Sequence, residues 1–329
     1  MEFMDILSNS LRGAVGPEAA IYALAAVGLN LHFGYTGLLN FGQVGFMLVG
    51  AYGAAISVQT WGLPLWVGVL VGLACAVVLA IILGIPTLRL RGDYLAITTI
   101  AAAEVLRYLY RSSYAEPLTG GVYGLDQFAG DFFALNPFTE SVSLGPFAFS
   151  ARNLWVMSVT WGMVALFSLL VFLLMRSPWG RVLKAVREDE LAARSLGKNV
   201  YAYKMQSLIL GGVLGALAGV MLAVHGQLAH PDIYMPAVTF YLWAIVILGG
   251  ASRIMGPIVG AVIFWFLISF LDALLRQATT MGYIPASILA PSEVSAMRFV
   301  FVGLLLVLLM AFRPAGILGN REELRLSVR

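Results

Sequence analysis

Apolar residues fill this chain in long runs, separated by short polar, charged or glycine-rich stretches. A helix needs about 20 apolar residues to cross roughly 30 Å of hydrocarbon. On that measure the candidate segments are Ala19–Leu31, Phe41–Val58, Leu63–Leu83, Tyr94–Tyr110, Leu154–Met175, Met205–Val224, Val238–Gly250, Ile254–Leu275 and Ala296–Phe312. The pattern predicts an all-α, polytopic transmembrane bundle of about nine membrane segments, in a range of about 8–10. Ala19–Leu31 and Val238–Gly250 are too short to span alone. Each runs into a glycine-punctuated stretch, so each is expected to be a broken or re-entrant helix that lines a cavity.

Composition removes the soluble alternative. Of 329 residues, 60% are hydrophobic and 11% charged, and the mean hydropathy is +0.89. Soluble domains carry about 45–50% apolar and about 25% charged residues. The formal charge of +3 does not point to nucleic acid. A single cysteine, Cys75, allows no intrachain disulfide framework. No basic stretch, compact apolar core and small-residue cleavage site open the chain, so no removable signal peptide is expected.

Lysine and arginine set the orientation. Arg176, Arg181, Lys184, Arg187, Arg194, Lys198 and Lys204 collect between Met175 and Met205, which places that loop in the cytoplasm. Arg313, Arg321, Arg325 and Arg329 place the tail on the same side, and Arg89 and Arg91 mark another cytoplasmic turn. Residues 112–153 carry Glu116, Asp126, Asp131 and Glu140 against Arg152 and read as external. The chain then divides into an amino-terminal segment (1–18), a transmembrane domain (19–312) and a cytoplasmic tail (313–329), with the amino terminus outside. Small residues at four-residue spacing (Gly68 and Gly72; Gly211, Gly215 and Gly219; Gly256 and Gly260) predict close helix packing inside the bundle.

The stretch Ser177–Lys204, SPWGRVLKAVREDELAARSLGKNVYAYK, is the most informative. Asp189–Leu196 reads as a helix with Leu191 and Leu196 near one face, and Gly197 stands where it would stop. A short charged helix projecting from a membrane domain suits a groove on a cytoplasmic partner, although charge alone is also met by a solvated connecting loop. Glu190-x-Ala192-Ala193 followed by Gly197 resembles the coupling loop of ABC-importer permeases, which inserts into a nucleotide-binding subunit. Leu29–Ala55 (LNLHFGYTGLLNFGQVGFMLVGAYGAA), Arg91–Arg107 (RGDYLAITTIAAAEVLR) with Thr119–Leu125 (TGGVYGL), and Leu248–Gly260 (LGGASRIMGPIVG) resemble three signatures of the branched-chain amino-acid ABC transporter permeases, second permease type. The similarity runs from about Leu29 to Leu318.

That resemblance implies a permease subunit that assembles with a second homologous permease, two cytoplasmic P-loop ATPases and an extracytoplasmic solute-binding protein. It assigns coupling to Arg187, Glu188, Glu190, Ala192, Ala193 and Gly197. No G-x-x-x-x-G-K-[ST] phosphate loop occurs in the sequence, so ATP and Mg are expected on the partner subunits and no cofactor on this chain.

Polar side chains within spans are costly and face a pore or a partner helix. Asn30, Thr36, Asn40 and Gln43 gather at the first glycine-rich break, where Gly34, Gly37, Gly42 and Gly45 allow irregular backbone. They are candidates for the translocation pathway or for bonds between helices. Thr98 and Thr99 are further candidates, although threonine readily satisfies itself on a preceding carbonyl. Glu104 and Arg107, at i,i+3, are expected to form a structural ion pair rather than to bind solute or carry a proton. His225, His230 and Asp232 fit no known metal spacing, so no metal site is assigned.

Leucine, isoleucine and valine are the solutes the resemblance implies; urea or short amides on the same architecture are the first alternative. An ion-coupled secondary transporter is a second, and needs intramembrane carboxylates, of which only Glu104 qualifies. A membrane-embedded enzyme needs a catalytic cluster that the sequence does not offer.

Overall fold

The computed structural model describes residues 3–89, 92–144 and 147–281, together with 297, 300, 303, 304, 307, 308, 311, 312 and 315–319. Short helix α1 (Phe3–Val15), which the hydropathy pattern does not announce, bends by 40° at Gly16 into α2 (Pro17–Asn30). Pro17 starts α2 where its missing N–H is no loss. The helix widens into a π turn at Leu31–Tyr35 and then unwinds, and α3 (Gln43–Gln59) resumes. Next come α4 (Leu65–Thr87) and α5 (Gly92–Arg111).

A loop region follows, with α6 (Glu116–Thr119), β1 (Leu125–Asp126), α7 (Gly130–Ala134), and the hairpin of β2 (Val142–Leu144) and β3 (Phe147–Phe149). Helix α8 (Ala151–Arg176) leads to the short α9 (Pro178–Glu188) and α10 (Glu190–Ser195). Then come α11 (Val200–Gly226), β4 (Leu228–Ala229), α12 (Pro236–Gly249) and α13 (Gly256–Thr280). Strand β4 pairs antiparallel with β1, Leu125 opposite Ala229 and Asp126 opposite Leu228.

Among the described residues, helices α4, α8, α11, α13 and the stretch Pro231–Gly249 are long and apolar enough to cross a membrane; these are 5, or 6 with the bent α1–α2 pair. Segments predicted at Phe41–Val58 and Tyr94–Tyr110 are helices too, but α3 has 17 residues and α5 carries Glu104, Arg107 and Arg111. Of the last predicted segment, Ala296–Phe312, only 297, 300, 303, 304, 307, 308, 311 and 312 are among the described residues, and most of the tail from 313 lies outside them, as does Arg91. This is a multi-pass membrane protein.

Helix α11 is the axis. Of its most apolar stretch 78% is buried, against 28% for α8 and α13. Its small residues make that position possible: a Cβ on Gly211 would lie 2.5 Å from the Gly28 carbonyl oxygen, and one on Gly219 2.0 Å from that of Met47. The spaced glycines thus mark seams within this chain, since backbone approach replaces the missing hydrophobic drive in lipid. Around them, α4, α5 and α8 expose Trp66, Leu70, Ile82, Ile97, Leu166 and Leu173, a surface suited to lipid or a partner subunit.

Candidate functional site

Two interrupted helices meet in the bundle, and each interruption leaves backbone groups without a helical ladder. Such groups need partners, because an unpaired peptide at membrane depth costs several kcal/mol on the order of a lost hydrogen bond or more. In the first break, between α2 and α3, side chains of α5 and α12 supply them. The Phe41 N–H donates to Thr99 Oγ1 at 3.0 Å, and the Val44 N–H to Thr239 Oγ1 at 3.1 Å. Trp243 Nε1 donates to the Asn40 carbonyl oxygen at 3.2 Å, its ring stacked on Phe41 with centroids 4.6 Å apart.

Inside the break runs a chain of side-chain hydrogen bonds. His32 Nε2 donates to the Leu208 carbonyl oxygen at 3.2 Å, and its Nδ1 accepts from Asn40 Nδ2 at 3.1 Å. Asn40 Nδ2 also donates to Gln43 Oε1 at 3.0 Å, and Gln43 Nε2 to the Gly211 carbonyl oxygen at 2.9 Å. Asn40 Oδ1 accepts from the Gly42 N–H at 2.8 Å. Thr36 Oγ1 bonds Ser207 Oγ at 2.6 Å and the Leu31 carbonyl oxygen at 2.9 Å. Asn30, Thr36, Asn40 and Gln43 are thus buried and bonded to this chain's own groups. Thr99 is buried beside them; Thr98 is half-exposed and bonds back to the Tyr94 carbonyl oxygen at 2.7 Å. His32, Ser207, Thr239 and Trp243 complete the network and are not among the residues the sequence singles out. Their signal is a polar side chain in an apolar run, as for the asparagines.

The second break lies between α12 and α13. Asn30 spans the two: its Nδ2 donates to the Arg253 carbonyl oxygen, and its Oδ1 accepts from the Ser252 N–H, both at 3.0 Å. Ser252 sits at φ +63, a left-handed conformation rare for residues with a Cβ. Arg253, Ile254 and Met255 line an apolar groove of about 620 Å³ with Trp161, Ser168 and Phe172. Residues 315–319 return to this break, with the Ile317 N–H on the Leu248 carbonyl oxygen at 2.9 Å and that of Leu318 on Gly249 at 3.0 Å.

At the same end stands the α9–α10 hairpin. Asp189 caps α10, accepting from the Leu191 and Ala192 N–H groups at 2.8 and 3.0 Å, and Gly197 ends the turn at φ +73. Ala193 packs with Val186 and Val200 in a small core. Glu190 pairs with Lys204 of α11. Leu191 and Leu196 are 73% and 77% exposed, apolar tips with nothing over them. Glu188 is exposed at the end of α9, while Arg187 turns back to the Gly34 carbonyl oxygen and Ser252 Oγ.

The opposite end holds an ion cluster. Arg107 Nε donates to Glu104 Oε2 at 3.0 Å, and its Nη1 reaches Asp232 beyond α11; Arg111 is 3.6 Å from the same carboxylate. His230 Nε2 donates to the Val122 carbonyl oxygen at 2.8 Å while its Nδ1 accepts from the Asp232 N–H at 3.1 Å. Both ring nitrogens are therefore engaged. Among the described residues no group of three His, Cys, Asp or Glu is placed to hold a metal.

The family model for the branched-chain amino acid transport system permease component matches residues 17–310. The chain belongs to this family. It is 31% identical over 320 residues to the high-affinity branched-chain amino acid transport system permease protein LivM of Salmonella typhimurium, covering 93% of this chain and 70% of the relative. The Escherichia coli protein of the same name is 29% identical over 319 residues, with coverage of 93% and 70%. A probable branched-chain amino acid transport permease of Methanocaldococcus jannaschii is 26% identical over 340 residues, covering 92% of this chain and 91% of the relative. Both breaks, the ion cluster and the hairpin of this permease fall within the matched residues.

Proposed function

We propose that this permease is the membrane subunit of an ATP-driven importer of branched-chain amino acids, and that separate ATPase subunits drive it through residues 176–204. The α9–α10 hairpin carries this reading. A capped helix with Leu191 and Leu196 bare, held to the bundle by Val186, Ala193, Val200 and the Glu190–Lys204 pair, is built to be gripped from outside the chain. A second homologous permease would complete the pathway, two P-loop ATPases would carry ATP and Mg, and a solute-binding protein would deliver from the opposite side. The tail near the α12–α13 break shares the hairpin's end of the bundle, in keeping with a cytoplasmic carboxy terminus.

The cargo reading rests on the relatives' names and on chemistry at the first break. An aliphatic amino-acid side chain favours an uncharged, apolar route, and half-buried Phe33, Leu39 and Phe41 flank the break there. In this reading Asn30, Thr36, Asn40, Gln43 and Thr99 shape the pathway by holding the unwound backbone, and half-exposed Thr98 borders it. An ion-coupled mechanism finds less support, because the carboxylate of Glu104 is tied to Arg107.

The test is uptake of radiolabelled leucine by proteoliposomes holding the permease with its partner subunits. Replacing Glu190 with Ala and Gly197 with Val together removes the anchor and strains the left-handed turn. The double variant is expected to reach the membrane normally, while leucine uptake per ATP hydrolysed falls at least tenfold. Uptake at the parental ratio would remove the coupling assignment, and no uptake of leucine, isoleucine or valine by the parent would remove the cargo.

A further inference from the structure

Arg187 lies in the last turn of α9, but its guanidinium turns away from the outward face of the hairpin. Its stem lies over Gly37: a Cβ added there would be 3.3 Å from Arg187 Cγ, and Gly37 itself sits at φ +74. Its guanidinium Nη1 donates both to the Gly34 carbonyl oxygen and to Ser252 Oγ, and the Ser252 hydroxyl donates to that same carbonyl. Gly34 belongs to the π turn in which α2 runs out, and Ser252 to the interruption between α12 and α13. One side chain of the hairpin therefore grips both breaks at once. Asn30 has already tied these breaks together through the Ser252 N–H and the Arg253 carbonyl oxygen.

The chemistry suits the place. Carbonyls at the C-terminal end of a helix carry partial negative charge, which a cation stabilises. A planar guanidinium serves two acceptors in fixed directions, where an ammonium is a compact point charge. Hydrogen bonds weaken steeply beyond about 3.2 Å, so a shift of the hairpin by an ångström or two must either drag the two breaks along or release them. The breaks are also the parts of these helices with side-chain rather than ladder support, so their rearrangement disturbs fewer backbone bonds than bending a regular helix.

Building on the coupling role proposed for the hairpin, we infer that Arg187 is the positioning residue that sets both helix breaks from the hairpin, so that they switch together. It faces the pathway side of the coupling device rather than the ATPase. Leu191 and Leu196 form the gripped side, Glu190 anchors the hairpin to α11, and Arg187 hands the movement on.

The test measures leucine transported per ATP hydrolysed, in the full complex in proteoliposomes, for Arg187→Gln, Arg187→Lys, Ser252→Gly and the double variant R187Q/S252G. Glycine keeps the left-handed backbone of residue 252 and removes only its hydroxyl. The inference expects R187Q to lower the ratio at least tenfold with the ATPases still bound, R187K to recover part of it, and S252G to lower it about threefold. The double variant should be no worse than R187Q alone, because both changes cut the same contact. A parental ratio in R187Q overturns the assignment, as does strict additivity in the double variant. Should R187Q not be recovered from membranes, a parental ratio in S252G overturns it and a lowered one supports it. If the Glu190/Gly197 variant is uncoupled while R187Q is normal, only the role of Arg187 falls; if that variant is itself normal, the coupling reading falls with it.

Discussion

Gly219 leaves no room for a side chain, since an added Cβ would meet the Met47 carbonyl oxygen at 2.0 Å. The obstacle is backbone, which cannot swing aside as a side-chain tip can. Gly219→Val is therefore expected to destabilise the protein by about 1–3 kcal/mol or more through overpacking, seen as a lower Tm in detergent. Gly226→Ala, seven residues on in the same helix, meets nothing within 4 Å and should leave the Tm unchanged. Spacing in the sequence identifies such glycines as packing residues, but not their partner helices. Gly211, Gly215 and Gly219 look alike along the chain, yet they face His32, Gln43 and Met47 respectively. Those partners come from the distant α2–α3 region, and local pattern carries no such information.

At the scale of the element, hydropathy locates α4, α8, α11 and α13 because each is a regular helix with few charges. It also marks α2 and α12 as too short, and the structure interrupts both where glycines cluster. What it does not reveal is how the interruptions are held. Asn40 illustrates this: its amide bonds His32 on one side of the break, Gln43 on the other, and the Gly42 N–H within it. Asn40→Ala would leave the His32 Nδ1 and the Gly42 N–H unpaired in a dry interior, at about 1–3 kcal/mol each. The expected outcome is a reduced Tm together with reduced leucine uptake; unchanged stability with reduced uptake would make Asn40 a pathway residue alone. Helices α1 and α9 escape the hydropathy reading for another reason. Each is short, and α9 alternates basic and apolar residues as a surface helix does, a pattern that a search for long apolar runs passes over.

Across the whole molecule, the ion cluster joins parts that the sequence keeps far apart. The i,i+3 spacing of Glu104 and Arg107 is visible in α5, but Asp232 lies in the turn before α12, and only folding brings it to Arg107. The Arg107 side chain is 7% exposed, and its two carboxylates 30% and 33%. Replacing Glu104 with Gln and Asp232 with Asn would strand that cation. Breaking a fully buried pair costs about 3–5 kcal/mol, so with partly solvated carboxylates a loss of about 2 kcal/mol is expected. It would be read as a lower midpoint in thermal unfolding of the purified subunit, with Glu104→Gln alone showing a smaller shift. The same cluster changes the meaning of α12. One end of this helix adjoins the interruption that Arg187 grips, and just before the other stand Asp232 and strand β4, laced to β1. With 14 residues it is about 21 Å long. A strut held at both tips cannot tilt at one without shifting the other, so an object settling on the 125–126 and 228–229 ribbon would be felt at the interruption beside the basic hairpin.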